Sequence, residues 1–449
     1  MDAPPSDELA VRFPGRATAR DAAGPSRSGA LDAAGPLRPG ARDAAGPLDP
    51  GARVDVEGLL DGMAGAGSLG VGDERVRDFL GAFGRRLLRP ELARRHPELA
   101  SLGFFLRPRE LARTVEETRG GEHVRVPRGL VFHIPPANVD TVFVYSWALS
   151  ALMGNRNVVR LSSRAGAVAA LLVDTLLETL DEADREVAEA VAATQRIVSY
   201  GRSDAVTAAL SAACDLRVVW GGDRTVDEVR RHPLAPHARD LAFPDRSSFA
   251  LVLASAWLAA SPGTREALAD GFAADAYWFD QAACSSPRTV FWVGAPAECD
   301  TARDDFTTCL ARAVARRGWT VDAAMAVEKR VATYGLAADG AARAIGFHGN
   351  AVADVVLTAP ELAPRRWLGT GTFAHARIAS PAELAGLVRR ADQTMTYFGF
   401  ARAELAELAA TLAGRGVDRM VPIGEALSFH RVWDGVDLPA EFTRLLTIR

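Results

Sequence analysis

The side chain best suited to covalent chemistry is Cys284, in the small-residue segment FDQAACSSP (279–287) just ahead of the apolar run PRTVFW. A thiolate attacks acyl and carbonyl carbon readily and forms a thioester or thiohemiacetal. Taken alone, any such cysteine also reads as an inert buried thiol. The other cysteines are Cys214, Cys299 and Cys309. None forms CxxC or lies close to a histidine, which argues against zinc and for free thiols. Asp280 and Gln281 precede Cys284 by four and three residues and are placed to shape its loop. Asn138, in PPAN, suits a turn or a helix cap. His133 and His430 are candidate bases, although a lone histidine is more often structural; His348 and His375 carry no pattern. Of 52 basic residues only Lys329 is a lysine. That reads as coding bias, and it leaves a Schiff-base enzyme one candidate and no P-loop GK[ST].

These residues need elements to position them. GLVFHI (129–134) reads as a strand, VDTVFVYSWALSAL (139–152) as a helix, and NVVRL (157–161) as a strand, with Ser162 or Ser163 capping a helix to about Leu180. RIVSY (196–200) is a strand; Gly201 follows, and Ser203 can cap a helix to about Ala213. LRVVW (216–220) is a strand that turns at Gly221-Gly222-Asp223, where Asp223 and Arg224 either meet a cofactor or merely form the turn. Repeated βα units predict an α/β fold with a parallel, doubly wound sheet and ligands at the strand carboxyl ends. No GxGxxG follows any of these strands. SSFALVLA (247–254), a helix near 262–276 and the strand PRTVFWVG (287–294) extend the mixed pattern around Cys284.

The 449 residues suggest two to four structural units. Residues 1–55 read as a disordered tail, because RDAAGPSRSGA, LDAAGPLRPGA and RDAAGPLDPGA repeat with an 11-residue step rich in Gly and Pro. Residues 56–122 read as a helical lead-in, followed by two mixed α/β stretches at 123–245 and 246–411 and a last segment at 412–449. A net charge of −4 argues against nucleic acid as the main partner. No apolar run is long enough for a transmembrane helix, and no secretory signal is visible, so the expected compartment is the cytoplasm.

Residues 129–163 resemble the first cofactor-binding segment of the aldehyde dehydrogenase superfamily. More narrowly they resemble the long-chain acyl-CoA (fatty acyl-protein thioester) reductases of bacterial bioluminescence, the LuxC family. VVWGGDRTVDEVR (218–230), ARDLAFPDRSSFALV (238–252), DQAACSSPRTVFW (280–292), DQTMTYFG (392–399) and GVDRMVPIG followed by WDG (416–435) match further pieces in the family's order. The resemblance covers about residues 100–449 and implies an aldehyde dehydrogenase-like fold, with 123–245 as the NAD(P)-binding Rossmann-like domain, 246–411 as the catalytic domain carrying Cys284 and 412–449 as a completing or oligomerisation segment. It makes Cys284 the nucleophile and Asn138 the side-chain donor of an oxyanion hole, together with the Cys284 backbone N–H. SYGRSDAV (199–206) matches the strand–turn–helix over a pyrophosphate, with Gly201 allowing close approach and Ser203 opening a helix whose amides face the phosphates; Val206 stands where the family has a second glycine. Arg164, after Ser162 and Ser163, replaces a glutamate that holds ribose hydroxyls in many NAD users. A guanidinium there suits a 2′-phosphate, so NADPH is expected over NADH, with Gly221 and Gly222 also against the cofactor.

The glutamate that activates water in hydrolytic members falls on Val219 or Ala242 in two alternative registers, neither acidic. An acyl-enzyme without that base should survive for reduction. The glutamate that orients the nicotinamide ribose has no clear counterpart near RRWLGTGTF (365–373). The resemblance therefore implies NADPH-dependent reduction of an acyl-CoA or carrier-bound acyl thioester to the aldehyde, in a homo-oligomer, with an acyl-protein synthetase subunit as partner. A CoA-acylating aldehyde dehydrogenase, an acyl phosphate reductase and an inactive scaffold subunit are the alternatives.

Overall fold

The computed structural model describes residues 9–14, 53–64, 69–162 and 165–449. The chain forms two compact units: one contains the chain up to Pro244 together with Asp437–Arg449, and the other is Asp245–Val436.

The first unit is built on a seven-stranded sheet. Leu130–Ile134 lies at its centre, paired in parallel with Arg156–Leu161 on one side and Leu216–Trp220 on the other. Gln195–Ser199 and Arg239–Phe243 continue the parallel ladder outward on the two sides. The chain reverses direction across the sheet between Leu130–Ile134 and Leu216–Trp220, and such a switch point opens a crevice at the carboxyl ends of the strands. The central strands are rich in apolar residues because helices cover both faces, and their buried polar members His133, Asn157 and Arg217 are hydrogen-bonded.

The expectation that residues 1–55 are a tail fails at its start and end. Leu9–Phe13 is a strand, antiparallel to Gln195–Ser199, and Arg53–Val54 pairs outside it. Leu9, Val11 and Phe13 are fully buried, and Phe13 packs against Phe79 and Trp147 with both ring centroids 6.1 Å away. Burial of three large apolar side chains at about 2 kcal/mol each outweighs the poor composition of the flanks. The repeats at 20–52 lie outside the described residues.

The second unit carries another seven-stranded sheet. Its order is Ala342–His348, Val352–Leu357, Thr372–Ile378, Pro287–Val293, Ser247–Leu253, Asp392–Phe398 and Arg419–Pro422; only the first pair is antiparallel. Trp257, Trp292, Phe272 and Phe306 form the centre of one face of its core. The helix Ala323–Ala338 buries Lys329, whose Nζ donates to the carbonyls of Asn350 at 2.9 Å and Ala351 at 3.0 Å. Burial lowers that ammonium to about 8.

The segment expected as 412–449 is divided. Arg419–Pro422 is the edge strand of the second sheet, whereas Thr443–Leu446 pairs with Val124–Pro127 in the first unit. Backbone acceptors explain the return: Phe442 takes a hydrogen bond from Asn155 Nδ2 at 2.8 Å, and Thr443 one from Arg128 Nη2 at 2.6 Å.

Candidate active site and cofactor cavity

Cys284 lies in the loop between the helix Pro262–Tyr277 and the strand Pro287–Val293. Two consecutive non-glycine residues of this loop, Asp280 and Gln281, are left-handed, with φ of 51° and 57°. Each costs on the order of 1 kcal/mol, and such cost persists only where the surroundings over-determine the backbone. The Gln281 amide supplies that restraint. Its Nε2 donates to the carbonyls of Pro287 at 2.9 Å and Thr372 at 3.0 Å, and its Oε1 accepts the Thr372 N–H at 3.1 Å. Ser286 Oγ ties the loop to the Asp275 carbonyl at 2.6 Å. Ser248 Oγ donates to the Cys284 carbonyl at 2.6 Å and accepts the Thr394 N–H at 3.1 Å. Three side chains thus fix the backbone that carries the sulfur.

Cys284 is half-buried, while Cys214, Cys299 and Cys309 are buried. Burial pushes the Cys284 thiol up; the backbone N–H of Arg246 and the Arg288 guanidinium pull it down, and Asp434 and Asp245 push it up. By contrast the apolar surroundings of Cys214 raise it to about 12. Arg288 is itself short of partners, since its Nε has none among the described residues. Asp434 is the site residue that sequence reasoning missed. It has φ of 51°, accepts a hydrogen bond from the Gln393 side-chain amide, and is raised to about 6 by burial. Its signal was its place in WDG, read only for resemblance. Arg246 faces it electrostatically and is anchored by Asp418 Oδ2 at 2.6 Å and the Asp392 carbonyl at 2.9 Å.

Val219 and Ala242, the two registers for a water-activating glutamate, are direct partners across one parallel ladder. Both alternatives therefore give an aliphatic side chain at the same place in the sheet.

The first unit holds a cavity of about 840 Å³ at the carboxyl ends of Leu130–Ile134, Arg156–Leu161 and Leu216–Trp220. Asn138, Ser162, Ser203, Gly221 and Gly222 line it. Ser203 caps the helix Asp204–Ala213 by accepting the Val206 N–H, and Gly222 is the N-cap of Asp223–Arg230, so two helix N-termini meet the cavity. Gly201 is exposed and is not part of the wall; a Cβ there would meet nothing within 4 Å, so close packing does not demand a glycine. Ser163 and Arg164 lie outside the described residues. The capping expected of Ser162 or Ser163 is not what the helix uses: it runs Ala167–Asp181 from an N-cap at Gly166, and the Asp140 carboxylate accepts the Ala169 N–H at 3.2 Å.

The basic groups in this wall are Arg160, Arg202, Arg231 and His232. Arg160 stacks over Tyr200 at 4.6 Å, and its buried Nε has no partner among the described residues. An orphaned guanidinium N–H, two helix N-termini and a cavity of this size fit a phosphate-bearing dinucleotide. His133 is not available as a base. It is fully buried, its ring nitrogens bond Ser146 and Asn157 at 2.9 Å each, and burial lowers it to about 4.

Comparison with known proteins follows this geometry. A family model described as acyl-CoA reductase (LuxC) matches residues 106–337. Long-chain acyl-protein thioester reductase 2 of Photobacterium leiognathi is 25% identical over 170 residues, 38% of this chain and 33% of that protein. The long-chain acyl-protein thioester reductase of Aliivibrio fischeri is 27% identical over 181 residues, 39% of this chain and 34% of that one. The match thus spans about a third of the length of these curated relatives. Among solved structures, aldehyde dehydrogenase 21 of Physcomitrella patens superposes with a TM-score of 0.62 at 12% identity, over 89% of this chain and 93% of that one. A NAD-dependent benzaldehyde dehydrogenase of Corynebacterium glutamicum does so with 0.55 at 14% identity, over 87% and 86%. The fold is that of the aldehyde dehydrogenases.

Proposed function

Because the chain belongs to the acyl-CoA reductase (LuxC) family, we propose that it reduces a fatty acyl thioester, as acyl-CoA or on a carrier, to the aldehyde through an acyl-enzyme on Cys284. The observation that carries this reading is the restraint of the Cys284 backbone by Gln281 and Ser248 around a partly buried thiol that feels nearby charged groups. NADPH, when bound, supplies the hydride. The Arg246 N–H steadies the sulfur as thiolate, which displaces the thiol of the donor and becomes acylated. Asn138 is assigned to the acyl oxygen, where an amide donor lowers the cost of the developing charge. After reduction, release of the aldehyde returns the sulfur to thiolate, and Asp434, whose charge is felt at the sulfur, is assigned to proton exchange with it. The aliphatic pair Val219 and Ala242 supports reduction over hydrolysis, since neither can activate water. In the cofactor cavity, Arg160 and Arg202 are assigned to the extra phosphate of NADPH, with the amides of Asp204–Ala213 facing the pyrophosphate. The reaction is placed in the cytoplasm, in a homo-oligomer fed by an acyl-donating synthetase subunit.

The test is NADPH consumption by the full chain with a series of acyl-CoA thioesters, wild type beside Cys284→Ala, with the aldehyde trapped and quantified. Thioester-dependent oxidation that needs Cys284 and yields aldehyde supports the reading. No turnover together with no acyl label on Cys284 from any donor overturns it.

A further inference from the structure

We propose that the second unit binds a phosphate-class anion in a separate cavity, at the end of its parallel sheet opposite Cys284. This site does not rest on the reaction proposed above and uses none of its residues. Cys284 precedes the strand Pro287–Val293, whereas the cavity opens where that strand, Val352–Leu357 and Thr372–Ile378 finish. Seven residues of strand separate the two ends by about 20 Å. The carboxyl ends of parallel strands are where open α/β sheets take ligands. The volume, about 300 Å³, is at the low end for small-molecule sites.

Three features give this cavity the chemistry of an anion site. Arg303, Arg343 and Arg377 all line it. Arg303 is held by Asp300 at 2.6 Å and Asp304 at 2.7 Å, and Arg343 reaches the same Asp300 at 3.2 Å. Arg377 has no hydrogen bond or ion pair among the described residues, so one guanidinium fork is uncommitted and a second is shared.

His375 is the second feature. It is 2% exposed and lies in the cavity wall. The Trp292 indole N–H can only donate, and it does so to His375 Nδ1 at 3.1 Å. The neutral ring must then carry its proton on Nε2, which has no partner among the described residues. Burial and the neighbouring Arg303 hold the ring neutral, so it presents a fixed N–H donor at any ordinary pH.

The helix Pro296–Arg317 is the third. It begins at the cavity with Ala295 as N-cap and no side-chain cap; Pro296 has no N–H and the Cys299 N–H is on the Ala295 carbonyl, so the first-turn amides without helical acceptors are those of Ala297 and Glu298. Glu298 and Asp300 stand in or next to that turn, but the arginines exceed the carboxylates of the wall three to one. Guanidinium forks, a neutral N–H and helix amides together match phosphate oxygens. The ligand is a phosphate group, either free or at the end of a nucleotide.

Titration calorimetry on the full chain tests this with inorganic phosphate, pyrophosphate and adenosine 3′,5′-bisphosphate at constant ionic strength. The variants are Arg343→Gln/Arg377→Gln, both exposed and compatible with folding, and Arg202→Gln in the first-unit cavity. The expected result is a binding event that weakens at least about tenfold in the double variant and persists in Arg202→Gln, whereas any event at the first-unit cavity weakens in Arg202→Gln and persists in the double variant. His375→Phe, with the fold checked by its thermal transition, should weaken it as well. Tighter binding of the bisphosphate than of free phosphate assigns the site to a nucleotide's terminal group; the reverse order assigns it to the free anion. Absence of binding, or binding unchanged in Arg343→Gln/Arg377→Gln, overturns the proposal.

Discussion

Ser248 and Cys284 are joined by a 2.6 Å hydrogen bond from the serine hydroxyl to the cysteine carbonyl, while the same hydroxyl accepts the Thr394 N–H at 3.1 Å. The Cys284 backbone is thereby tied through one side chain to the strand Asp392–Phe398, which neighbours the serine's strand in the sheet. Ser248→Ala leaves a carbonyl and an amide without this partner. The expected outcome is a loss of about 1–2 kcal/mol in unfolding free energy and a roughly tenfold slower acylation of Cys284. Thermal unfolding and single-turnover labelling with a radiolabelled acyl-CoA measure the two effects.

Gln281 does more than occupy a turn. Its amide makes three hydrogen bonds to Pro287 and Thr372 and holds a left-handed residue in place. Gln281→Ala should cost about 3 kcal/mol and lower kcat by at least about a hundredfold. Gln281→Glu, which keeps one acceptor and loses both donors, should fall between. Denaturant unfolding with steady-state kinetics on the same preparations separates loss of fold from loss of positioning.

Asp434 gives a pH signature. Its carboxyl is raised to about 6 from 3.8, so the folded chain holds its proton more tightly than the unfolded chain. Its contribution to stability is then full below about pH 4 and is lost as pH rises towards 6. Asp434→Asn should flatten that slope in pH-dependent unfolding. Above pH 6 the same charge pushes the Cys284 thiol up, so the variant should bring the midpoint of iodoacetamide alkylation down by about half a unit or more. On the proton-exchange role proposed for Asp434, turnover should fall in the same variant. Faster alkylation with slower turnover is the combination a purely structural residue would not produce.

Cofactor choice is predicted from the cavity of the first unit. Arg202→Gln should raise the KM for NADPH about tenfold and leave that for NADH within about twofold, since a charged hydrogen bond contributes about 1.5–3 kcal/mol. Equal efficiency of the two cofactors in the wild type would remove the assignment of the basic wall to a 2′-phosphate. Initial-rate kinetics with both cofactors decides this.

The parallel strands around the cofactor cavity were legible because each is a short apolar run with a turn at its end, and Leu216–Trp220 coincides with LRVVW. Ser203 as a helix cap was legible for the same local reason. Leu9–Phe13 was not, although its buried residues alternate, because the repeats that follow it dominate the composition of the first 55 residues. The start of Ala167–Asp181 was misplaced because its acceptor, Asp140, comes from 29 positions upstream, beyond the reach of local capping rules. Asp434 escaped for a deeper reason. Its carboxyl is raised by burial and by Asp418 against the pull of Arg246 and Gln393, an environment that no spacing along the chain brings into view.

The burial of Lys329 turns the folded chain into its own unfolding gauge. A lysine-specific protease has a single target side chain in all 449 residues, and that ammonium is held inside the second unit by two carbonyls. Cutting requires the helix Ala323–Ala338 to open, so the native protein should resist the enzyme and then yield two fragments as the population of opened chains grows. The rate at which those fragments accumulate reads the stability of the unit that bears Cys284, without any label and without a signal from the other half of the molecule.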